Sequence, residues 1–402
     1  MAYRTEIHFI KKGHRLFEYC DESCFKAKNL YNHANYLVRQ QLFYLETFLP
    51  YDGKDDSLYF QVKNHDAYKA LPSQTAQQIL KKLEDNWQSF FAAMKEWRVN
   101  PSKFLGMPRP PKYKEKDGRF ITFFTNQQCK NKNGYIRFPK TKLYLKTKVT
   151  EPLNEVRITP EGNRYKIEIV HEHVVPEAIS TEPSKIASID LGLDNLVTLT
   201  NNIGEIPIVI NGKIGKSMNH YYNKKKSKLM SNVGDNGTSN RLWKLSLKRN
   251  HKMNDQMHKA SRYVVKWCID HEIDTLVAGK NDGWKQEINI GKKNNQNFVS
   301  IPFESLLQKL AYKCEDAGIR FVETEESYTS KCSFLDGETM EHHDKYLGKR
   351  IKRGLFRSAT GIKINADVNG SYNIMRKAFP EAMQLVEADR GCALHPVRIN
   401  IT

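Results

Sequence analysis

Two aspartates lie where a sheet can assemble a divalent-metal site. Asp190 ends the first of two apolar strand-like runs, which a Gly-containing bend joins within Lys185–Thr200. Asp367 lies at the start of an apolar helical pattern in Lys363–Arg376. An aspartate there can also be an ordinary helix cap that favours the helix dipole. A strand-end carboxylate joined by one from a distant helix instead suits two hard cations, which activate water and stabilise the leaving oxygen of a phosphodiester.

Three segments in the second half of the chain resemble motifs of one family. Ser188–Gly192 is similar to the first RuvC motif and Asn365–Ile374 to the third, while Glu325–Ser333 resembles the Tyr-Thr-Ser segment after the second motif. They occur in this order in TnpB proteins, which are transposon-encoded RNA-guided DNA nucleases related to type V CRISPR effectors. The resemblance implies an RNase H-like (RuvC) mixed sheet with flanking helices. It also implies that Asp190 and Asp367 hold two Mg²⁺ ions, with a metal-activated water cutting DNA.

A third carboxylate that the resemblance implies is missing from its usual place. In the family the second RuvC motif ends a strand with glutamate, but here Asp274–Ala278 is followed by Gly279. The next strand, Arg320–Thr324, delivers Glu325 and Glu326 to its carboxyl end. Adjacent strands lie about 4.8 Å apart and parallel strands end at one rim, so a glutamate can reach across. Two consecutive glutamates can also be simply solvated. We expect relocation and favour Glu326, with its neighbour directed away because successive side chains alternate.

A second departure from the family concerns zinc. TnpB proteins typically carry two Cys-x-x-Cys pairs before the last aspartate, which is a structural-zinc signature. This chain has Cys332 there, followed by His342 and His343. One thiolate and two adjacent histidines make a poor tetrahedral set, so we expect no zinc. A small β-hairpin of Lys349–Leu355 and Gly361–Ile364, supported by packing, is predicted instead.

Charge and cysteine content indicate an intracellular protein that binds polyanions. The 402 residues include 64 Lys and Arg against 45 Asp and Glu, a formal net charge of +19. This excess suits phosphate backbones, although ribosomal and membrane-surface proteins share it. The seven cysteines show no paired spacing and fit a reducing compartment. No apolar run approaches the ~20 residues of a membrane span. We expect a cytoplasmic, nucleoid-associated prokaryotic protein with no membrane partner.

Hydrophobic periodicity, with the layout of the family, predicts an α/β multidomain chain. Residues 1–20 and 110–182 alternate in short runs and predict a small antiparallel β-barrel, a wedge-like domain whose first 20 residues form a hairpin. Residues 21–109 have helical spacing and predict a helical recognition domain, a bundle that interrupts the barrel. Residues 183–402 predict the RuvC-like domain, with a basic helical insertion at 213–252 and a zinc-finger-like insertion lacking zinc ligands at 331–362.

The basic insertion is a strong nucleic-acid signal. Residues 213–252 contain 11 Lys or Arg and one acid, Asp235. A charge run is usually a solvated helix face, but one-sided charge between two catalytic strands favours phosphate contact. The proline-rich Pro108–Lys114 is either a linker or an extended segment along a nucleic-acid backbone. The predicted nucleic-acid-binding residues are Tyr31, Arg39, Lys112, Lys114, Lys224, Lys225, Lys226, Arg241, Lys248, Arg249, Arg350, Lys352 and Arg353.

These features predict an RNA-guided DNA endonuclease of the TnpB type. A guide RNA would select a double-stranded DNA target by base pairing, while the protein reads a short flanking motif. One alternative is a nuclease-dead, guide-RNA-directed DNA-binding regulator, which Gly279 favours. Another is a guide-free transposase acting on transposon ends. The sequence leaves the oligomeric state open.

Overall fold

The computed structural model divides the chain into two compact units, Met1–Val174 and Val175–Thr402. Each unit has its own hydrophobic core. Among the residues that the structure describes, no helix is long and apolar enough to cross a bilayer. The described residues are 2–51, 57–177, 182–234, 237–280, 300–381, 394 and 396–401.

The first unit contains two antiparallel sheets. Their strands are β1 (Ala2–Lys11), β2 (Thr122–Thr125), β3 (Asn131–Lys132), β4 (Tyr135–Arg137), β5 (Tyr144–Lys146), β6 (Leu153–Glu161) and β7 (Arg164–His173). The larger sheet has the order β1-β7-β6-β2 and the smaller the order β3-β4-β5. The described strands therefore pair as two separate sheets, and their hydrogen bonding does not close into the predicted barrel.

The predicted hairpin at residues 1–20 is wrong. β1 pairs with β7 over all ten of its residues. Helix α1 (Phe17–Tyr44) then begins, earlier than the predicted boundary at residue 21. Leu16, Cys20 and Cys24 repeat every fourth residue and are fully buried, which is the spacing of one helix face. The apolar residues before position 20 thus belong to a helix and not to a second strand.

Further helices complete the first unit around an aromatic-rich core. They are α2 (Leu58–Val62), α3 (Asp66–Lys69) and α4 (Ser73–Val99), followed by a 3₁₀ turn at Pro101–Lys103. Val38 of α1 and Leu80 and Trp87 of α4 are buried in one cluster. Trp87 Nε1 also donates to Asn35 Oδ1 at 3.0 Å. Burial of the aromatic side chains stabilises the pairing of the two long helices.

The second unit is built on a six-stranded mixed sheet, with a small sheet beside it. Its strands are β8 (Ile186–Leu191), β9 (Asn195–Asn201), β10 (Ile208–Asn211), β11 (Thr275–Gly279), β12 (Arg320–Thr324), β13 (Lys349–Lys352), β14 (Leu355–Arg357), β15 (Lys363–Asn365) and β16 (Val397–Ile399). The large sheet has the order β12-β11-β8-β9-β10-β16 and the small one β13-β14-β15. β11 lies parallel to both β8 and β12, so these three strands end at one side, the carboxyl edge.

Helices cover both faces of the large sheet. They are α5 (Lys213–Val233), α6 (Asn240–Asp270), α7 (Phe303–Asp316) and α8 (Ala366–Ala378). α6 and α7 share one core cluster with β8 and β9, while α8 belongs to a second cluster with Val277 of β11. The predicted α/β class, with a mixed sheet and flanking helices, is confirmed. The basic segment that ends at Lys252 and the core-facing segment that begins at Met253 form one helix, α6, of 31 residues, about 46 Å long at 1.5 Å per residue.

Candidate active site

Asp190 lies at the end of β8, on the face that α8 covers. The same face carries a buried hydroxyl network, in which Ser188 Oγ lies 2.7 Å from both Thr200 Oγ1 and the carbonyl oxygen of Ser371. This network fixes α8 against the sheet. At Gly370 a Cβ would lie 2.9 Å from Asp190 Oδ2. The missing side chain therefore lets the helix approach the carboxylate.

Asp367 enters the same region from the first turn of α8. The helix cap is its neighbour Asn365, whose Oδ1 accepts the backbone N–H groups of Asp367 at 2.9 Å and Val368 at 3.2 Å. The simple cap alternative for Asp367 therefore does not apply. Its carboxylate binds elsewhere: Asn195 Nδ2 donates to Oδ2 at 2.7 Å, and a guanidinium nitrogen of Arg350 lies 3.7 Å from Oδ1.

Glu326 lies against the end of β11, at Gly279. A Cβ on Gly279 would come within 2.6 Å of both Glu326 Cγ and Ile374 Cδ1, closer than such atoms pack in proteins. β11 and β12 are in register, with Gly279 opposite Thr324, so Glu326 follows two residues after the last paired position. The glutamate side chain fills the space that a side chain at position 279 would take.

The turn after Glu326 is bound to α8. Thr329 donates its N–H at 3.2 Å and its hydroxyl at 2.9 Å to the Glu326 carbonyl oxygen. Asn373 Nδ2 donates to the carbonyl oxygens of Thr329 at 2.9 Å and Cys332 at 2.8 Å. Asn369 Nδ2 donates to the same Cys332 oxygen at 2.9 Å. The helix that carries Asp367 thus also holds the backbone that carries Glu326.

The two adjacent glutamates face different surroundings. Glu325 is exposed, and its Oε2 accepts a hydrogen bond from Lys377 Nζ at 2.6 Å. Glu326 has a buried Oε1 atom and interacts electrostatically with Asp190. The structure therefore brings Asp190, Glu326 and Asp367 together and leaves Glu325 on the surface.

The cluster is electrostatically unfavourable for three charged carboxylates. Burial, followed by the negative charges of Glu326 and Asp367, raises the pKa of Asp190 well above its usual range, although Arg350 opposes the shift. Burial and the adjacent Glu325 raise the pKa of Glu326 to about 7. Both shifts have the direction expected where like charges are gathered out of water. Positive charge is needed to keep Asp190 and Glu326 ionised at neutral pH.

Arginines of the small sheet supply part of that positive charge. Arg350 of β13 pairs with Asp367, and Arg353, in the turn after β13, pairs with Asp194 in the turn between β8 and β9. Lys216 of α5 pairs with the same Asp194. Burial disfavours the charged form of Asp194, but Lys216 and Arg353 outweigh it and hold its pKa below the usual range. With the side chains in their present positions, no three His, Cys, Asp or Glu residues in the described part of the chain form a group that could hold a metal ion.

A buried carboxylate organises the insertion where the family carries zinc. Glu338 is 5% exposed, and its two oxygens accept the backbone N–H groups of Ser333 and Leu347, each at 2.7 Å. Cys332 Sγ and His343 Nε2 both contact the Thr339 carbonyl oxygen, at 3.3 and 2.8 Å. Beyond this loop the structure has the three strands β13–β15 where a two-stranded hairpin was predicted. The Glu338 carboxylate thus joins the two ends of the loop.

Replacing Glu338 by glutamine should lower the free energy of unfolding by about 1–3 kcal/mol, because one of two charge-assisted hydrogen bonds becomes a buried mismatch. Thermal unfolding of the full chain measures this, and Glu341→Gln is the matched control because Glu341 is an exposed residue of the same loop. Equal unfolding temperatures for the two variants would contradict the role given to Glu338.

Most of the predicted nucleic-acid-binding residues are exposed, but several are not. Tyr31 is wrong as a predicted contact: it is 1% exposed and its ring packs 4.5 Å from that of Phe120. Arg39 donates to the Pro111 carbonyl oxygen at 3.0 Å. Asn32 Nδ2 donates to the Lys114 carbonyl oxygen, and Asn32 Oδ1 accepts the Lys114 N–H. Pro108–Lys114 therefore packs along α1. The exposed residues are Lys112, Lys224, Lys225, Lys226, Arg241, Lys248, Arg350, Lys352 and Arg353.

Arg249 is partly buried and holds α5 and α6 together. Its Nε and one terminal nitrogen donate to Asn219 Oδ1 at 3.0 and 2.8 Å, and it also binds the Ser300 carbonyl oxygen. This use of the guanidinium group explains why the residue does not extend into solvent. Asp235, the acid of the basic run, lies outside the described residues.

Comparison with known proteins identifies two matching family models and a similar viral protein. The family model OrfB_IS605, described as a probable transposase, matches residues 167–285, and the model of the Cas12f1-like TNB domain matches residues 303–374. The TnpB-like protein ORF457 of Acidianus two-tailed virus is 23% identical over 399 residues, 88% of this chain and 81% of that protein. These matches show that the chain is similar to TnpB proteins.

Two further matches involve Cas12f1 proteins. The CRISPR-associated endodeoxyribonuclease Cas12f1 of Sulfoacidibacillus thermotolerans is 30% identical over 122 residues, which are 29% of this chain and 25% of that protein. A cryo-EM structure of a Cas12f1–sgRNA–target DNA complex aligns with 92% of this chain and 98% of the Cas12f1 chain, at 13% identity and a TM-score of 0.39. The resemblance to TnpB proteins noted in the sequence is confirmed by the family and sequence matches.

Several residues of this candidate site were missed by sequence reasoning. Asn365, Asn369 and Asn373 recur every fourth residue, so their amides share one side of α8. This spacing indicates a polar helix face that can bind the backbone of a loop. Asn195 and Glu338 offered no such signal, because each is a single polar residue whose partners come from distant segments.

Proposed function

We propose that this chain is an RNA-guided DNA endonuclease encoded by a transposon, and that Asp190, Glu326 and Asp367 form its nuclease site. One observation carries the proposal: Glu326 fills the space over Gly279 and joins the two aspartates of the RuvC-like motifs in one electrostatic cluster. The carboxylate that the family places at the end of β11 is thus supplied by the segment after β12. We infer that this nuclease site follows the RNase H-like arrangement.

The ligand types at the carboxyl edge suit divalent cations, and we propose that the three carboxylates move together to hold two Mg²⁺ ions, since the described side chains do not already form a metal-holding group. Three carboxylates supply hard oxygen ligands, and burial together with neighbouring negative charge raises the pKa values of Asp190 and Glu326, an effect that a cation would relieve. Asn195 Oδ1 and Thr198 Oγ1 are buried oxygens with no hydrogen-bond partner among the described residues. When bound, Mg²⁺ would stabilise the negative charge that develops on a phosphodiester and make a water a better nucleophile.

The chain's own residues would bring the DNA strand to this edge. Arg350 and Arg353 are exposed and already lie against two acidic groups there. Because their side chains are long and solvated, they can exchange a carboxylate for a phosphate oxygen when a strand arrives. Pairing with the acids while no strand is present keeps both arginines at the edge.

We propose that the exposed face of α5 and α6 contacts nucleic-acid phosphates. Lys224, Lys225 and Lys226 of α5 and Arg241 and Lys248 of α6 are all exposed. Since α6 continues without a break, its later exposed cations, Lys259, Arg262 and Lys266, prolong this charged face. Such a surface binds phosphate backbones without regard to sequence. Guide RNA pairing would then select the double-stranded target, and the protein would read a short flanking motif.

Two other functions make different predictions. A nuclease-dead regulator guided by RNA is favoured by the missing carboxylate at Gly279 and by the absence of a preformed metal-holding group among the described side chains. It would bind a matching target and leave it uncut. A guide-free transposase would act on transposon ends and would be unaffected by ribonuclease.

The test is to sequence the RNA that co-purifies with the full chain and then supply DNA that matches it. We expect cleavage of the matched DNA that requires Mg²⁺ and is lost after ribonuclease treatment. Binding without cleavage would establish the regulator instead. Activity on transposon ends that survives ribonuclease would establish the guide-free transposase.

A further inference from the structure

We propose that Asn195 is a positioning residue that holds the Asp367 carboxylate in place for a divalent cation. This inference rests on the nuclease function proposed above and deepens it. Asn195 begins β9, four residues after β8 ends, and its Nδ2 donates to Asp367 Oδ2 at 2.7 Å. It acts through Asp367 and is not itself assigned a contact with the reacting phosphate.

The position of Asn195 is fixed by the bend that follows Asp190. At Gly192 a Cβ would lie 2.7 Å from the Asn195 carbonyl oxygen, so only glycine permits this close turn. Asn195 is 6% exposed and lies opposite Asn211, where the register of β9 and β10 shifts. Because the Asn195 side chain is buried, its carboxamide can adopt few other conformations.

The two partners of Asp367 differ in how readily they can leave. Asn195 is buried and holds Oδ2, whereas Arg350 is exposed and lies 3.7 Å from Oδ1. An arriving cation can replace the arginine at Oδ1, while the amide continues to bind Oδ2. The hydrogen bond from Asn195 thus orients the carboxylate before the cation binds. Hydrogen-bonded partners of metal ligands generally have this effect.

The orientation of the amide follows from its partner. A carboxylate oxygen accepts, so the amide group facing Asp367 must be the NH₂. Asn195 Oδ1 is then the opposite atom, and it is buried with no hydrogen-bond partner among the described residues. A buried amide oxygen beside a carboxylate is a suitable acceptor for a water on a hydrated cation.

Asn202 provides a matched control. It follows the other end of β9, is 1% exposed, and binds backbone through both amide atoms: Nδ2 donates to Ser184 O at 2.8 Å and Oδ1 accepts Ile186 N–H at 2.7 Å. Loss of this amide removes two hydrogen bonds, whereas loss of the Asn195 amide removes one. It does so at the end of the strand away from the carboxylates.

The experiment titrates Mn²⁺ into the full chain, freed of nucleic acid, and follows unbound Mn²⁺ by electron paramagnetic resonance. The site is defined as Mn²⁺ binding that the wild type shows and Asp190→Asn lacks. Asn195→Ala and the volume-preserving Asn195→Leu should weaken it about 10- to 100-fold, the usual effect of losing a partner of a metal ligand. Asn202→Ala should leave Mn²⁺ affinity unchanged, even if its unfolding temperature falls. The Mg²⁺ concentration for half-maximal cleavage should rise with Asn195→Ala in parallel.

Wild-type Mn²⁺ affinity in both Asn195 variants would overturn the inference and leave the proposed function standing. Failure of both variants to fold, while Asn202→Ala folds, would also overturn it, because the side chain would then be mainly structural. Mn²⁺ binding that is the same in the wild type and in Asp190→Asn would overturn the proposed metal site and this inference with it.

Discussion

Glu326→Gln should reduce guided DNA cleavage by more than about a hundredfold, because losing even an indirect partner of a metal ligand costs 10- to 100-fold. Glutamine keeps the shape of the side chain that packs against Gly279 and removes its charge. Guide RNA and target binding should be unaffected, since the glutamate lies at the carboxyl edge and not on the exposed cationic helices. Cleavage rate and target affinity, measured on the same preparations, separate the two effects.

The adjacent glutamate is the control for this prediction. Glu325→Gln removes the same charge one residue away, but its carboxylate is exposed and bound to Lys377. An exposed ion pair contributes little to stability, so Glu325→Gln should cleave at nearly the wild-type rate. If Glu325→Gln is the inactive variant, or if both variants are fully active, the assignment of Glu326 is wrong.

Asp190→Asn should abolish cleavage and, with divalent cations absent, raise the stability of the protein. Its negative charge lies beside those of Glu326 and Asp367, so an uncharged side chain of the same size relieves repulsion. Asp367→Asn should likewise abolish cleavage. Thermal unfolding in a chelating buffer should show a higher midpoint for Asp190→Asn, with target binding retained. A lower midpoint would show that the carboxylate is not under electrostatic strain.

The same cluster sets the direction of a pH dependence. A carboxyl group whose pKa is higher in the folded state binds protons more tightly there, so stability falls as pH rises between its unfolded and folded pKa values. For Glu326 this interval runs from 4.5 to about 7. The cation-free wild type should therefore lose stability across that interval, and Glu326→Gln should lose less. Saturating Mg²⁺ should remove the difference.

The sequence predicted the elements that carry the site because their patterns are local. The strand that ends at Asp190 and the helix that begins near Asp367 each have a regular apolar period. The parallel order of β8, β11 and β12 brings their carboxyl ends together, and this follows from strands that alternate with helices. The expectation that a glutamate could cross from β12 to the end of β11 started from the third carboxylate that the family resemblance implies, and it used strand spacing and the shared rim of parallel strands.

Other features were set by partners that are far apart in sequence. β1 pairs with β7 across about 150 residues, so its short apolar run gave no sign of the pairing and suggested a hairpin. Tyr31 has a polar atom and a mixed sequence context, but α4 and Phe120 bury it. Asn195 and Glu338 acquire roles only from Asp367, Ser333 and Leu347. Such tertiary hydrogen bonds have no periodic signature.

The central claim is that Glu326 replaces a carboxylate at position 279. Transferring the carboxylate from position 326 to position 279 tests this claim most directly. Guided cleavage is measured for Glu326→Ala, Gly279→Glu and the double variant, all in an Ile374→Val background, because valine lacks the Cδ1 atom that a Cβ at position 279 would also meet. Both single variants should be inactive, the first for lack of the third carboxylate and the second because its side chain meets Glu326. The double variant, in which the new glutamate enters the space that Glu326 left, should recover cleavage well above either single variant. An active Glu326→Ala enzyme, or a folded double variant no better than the single ones, would contradict the account.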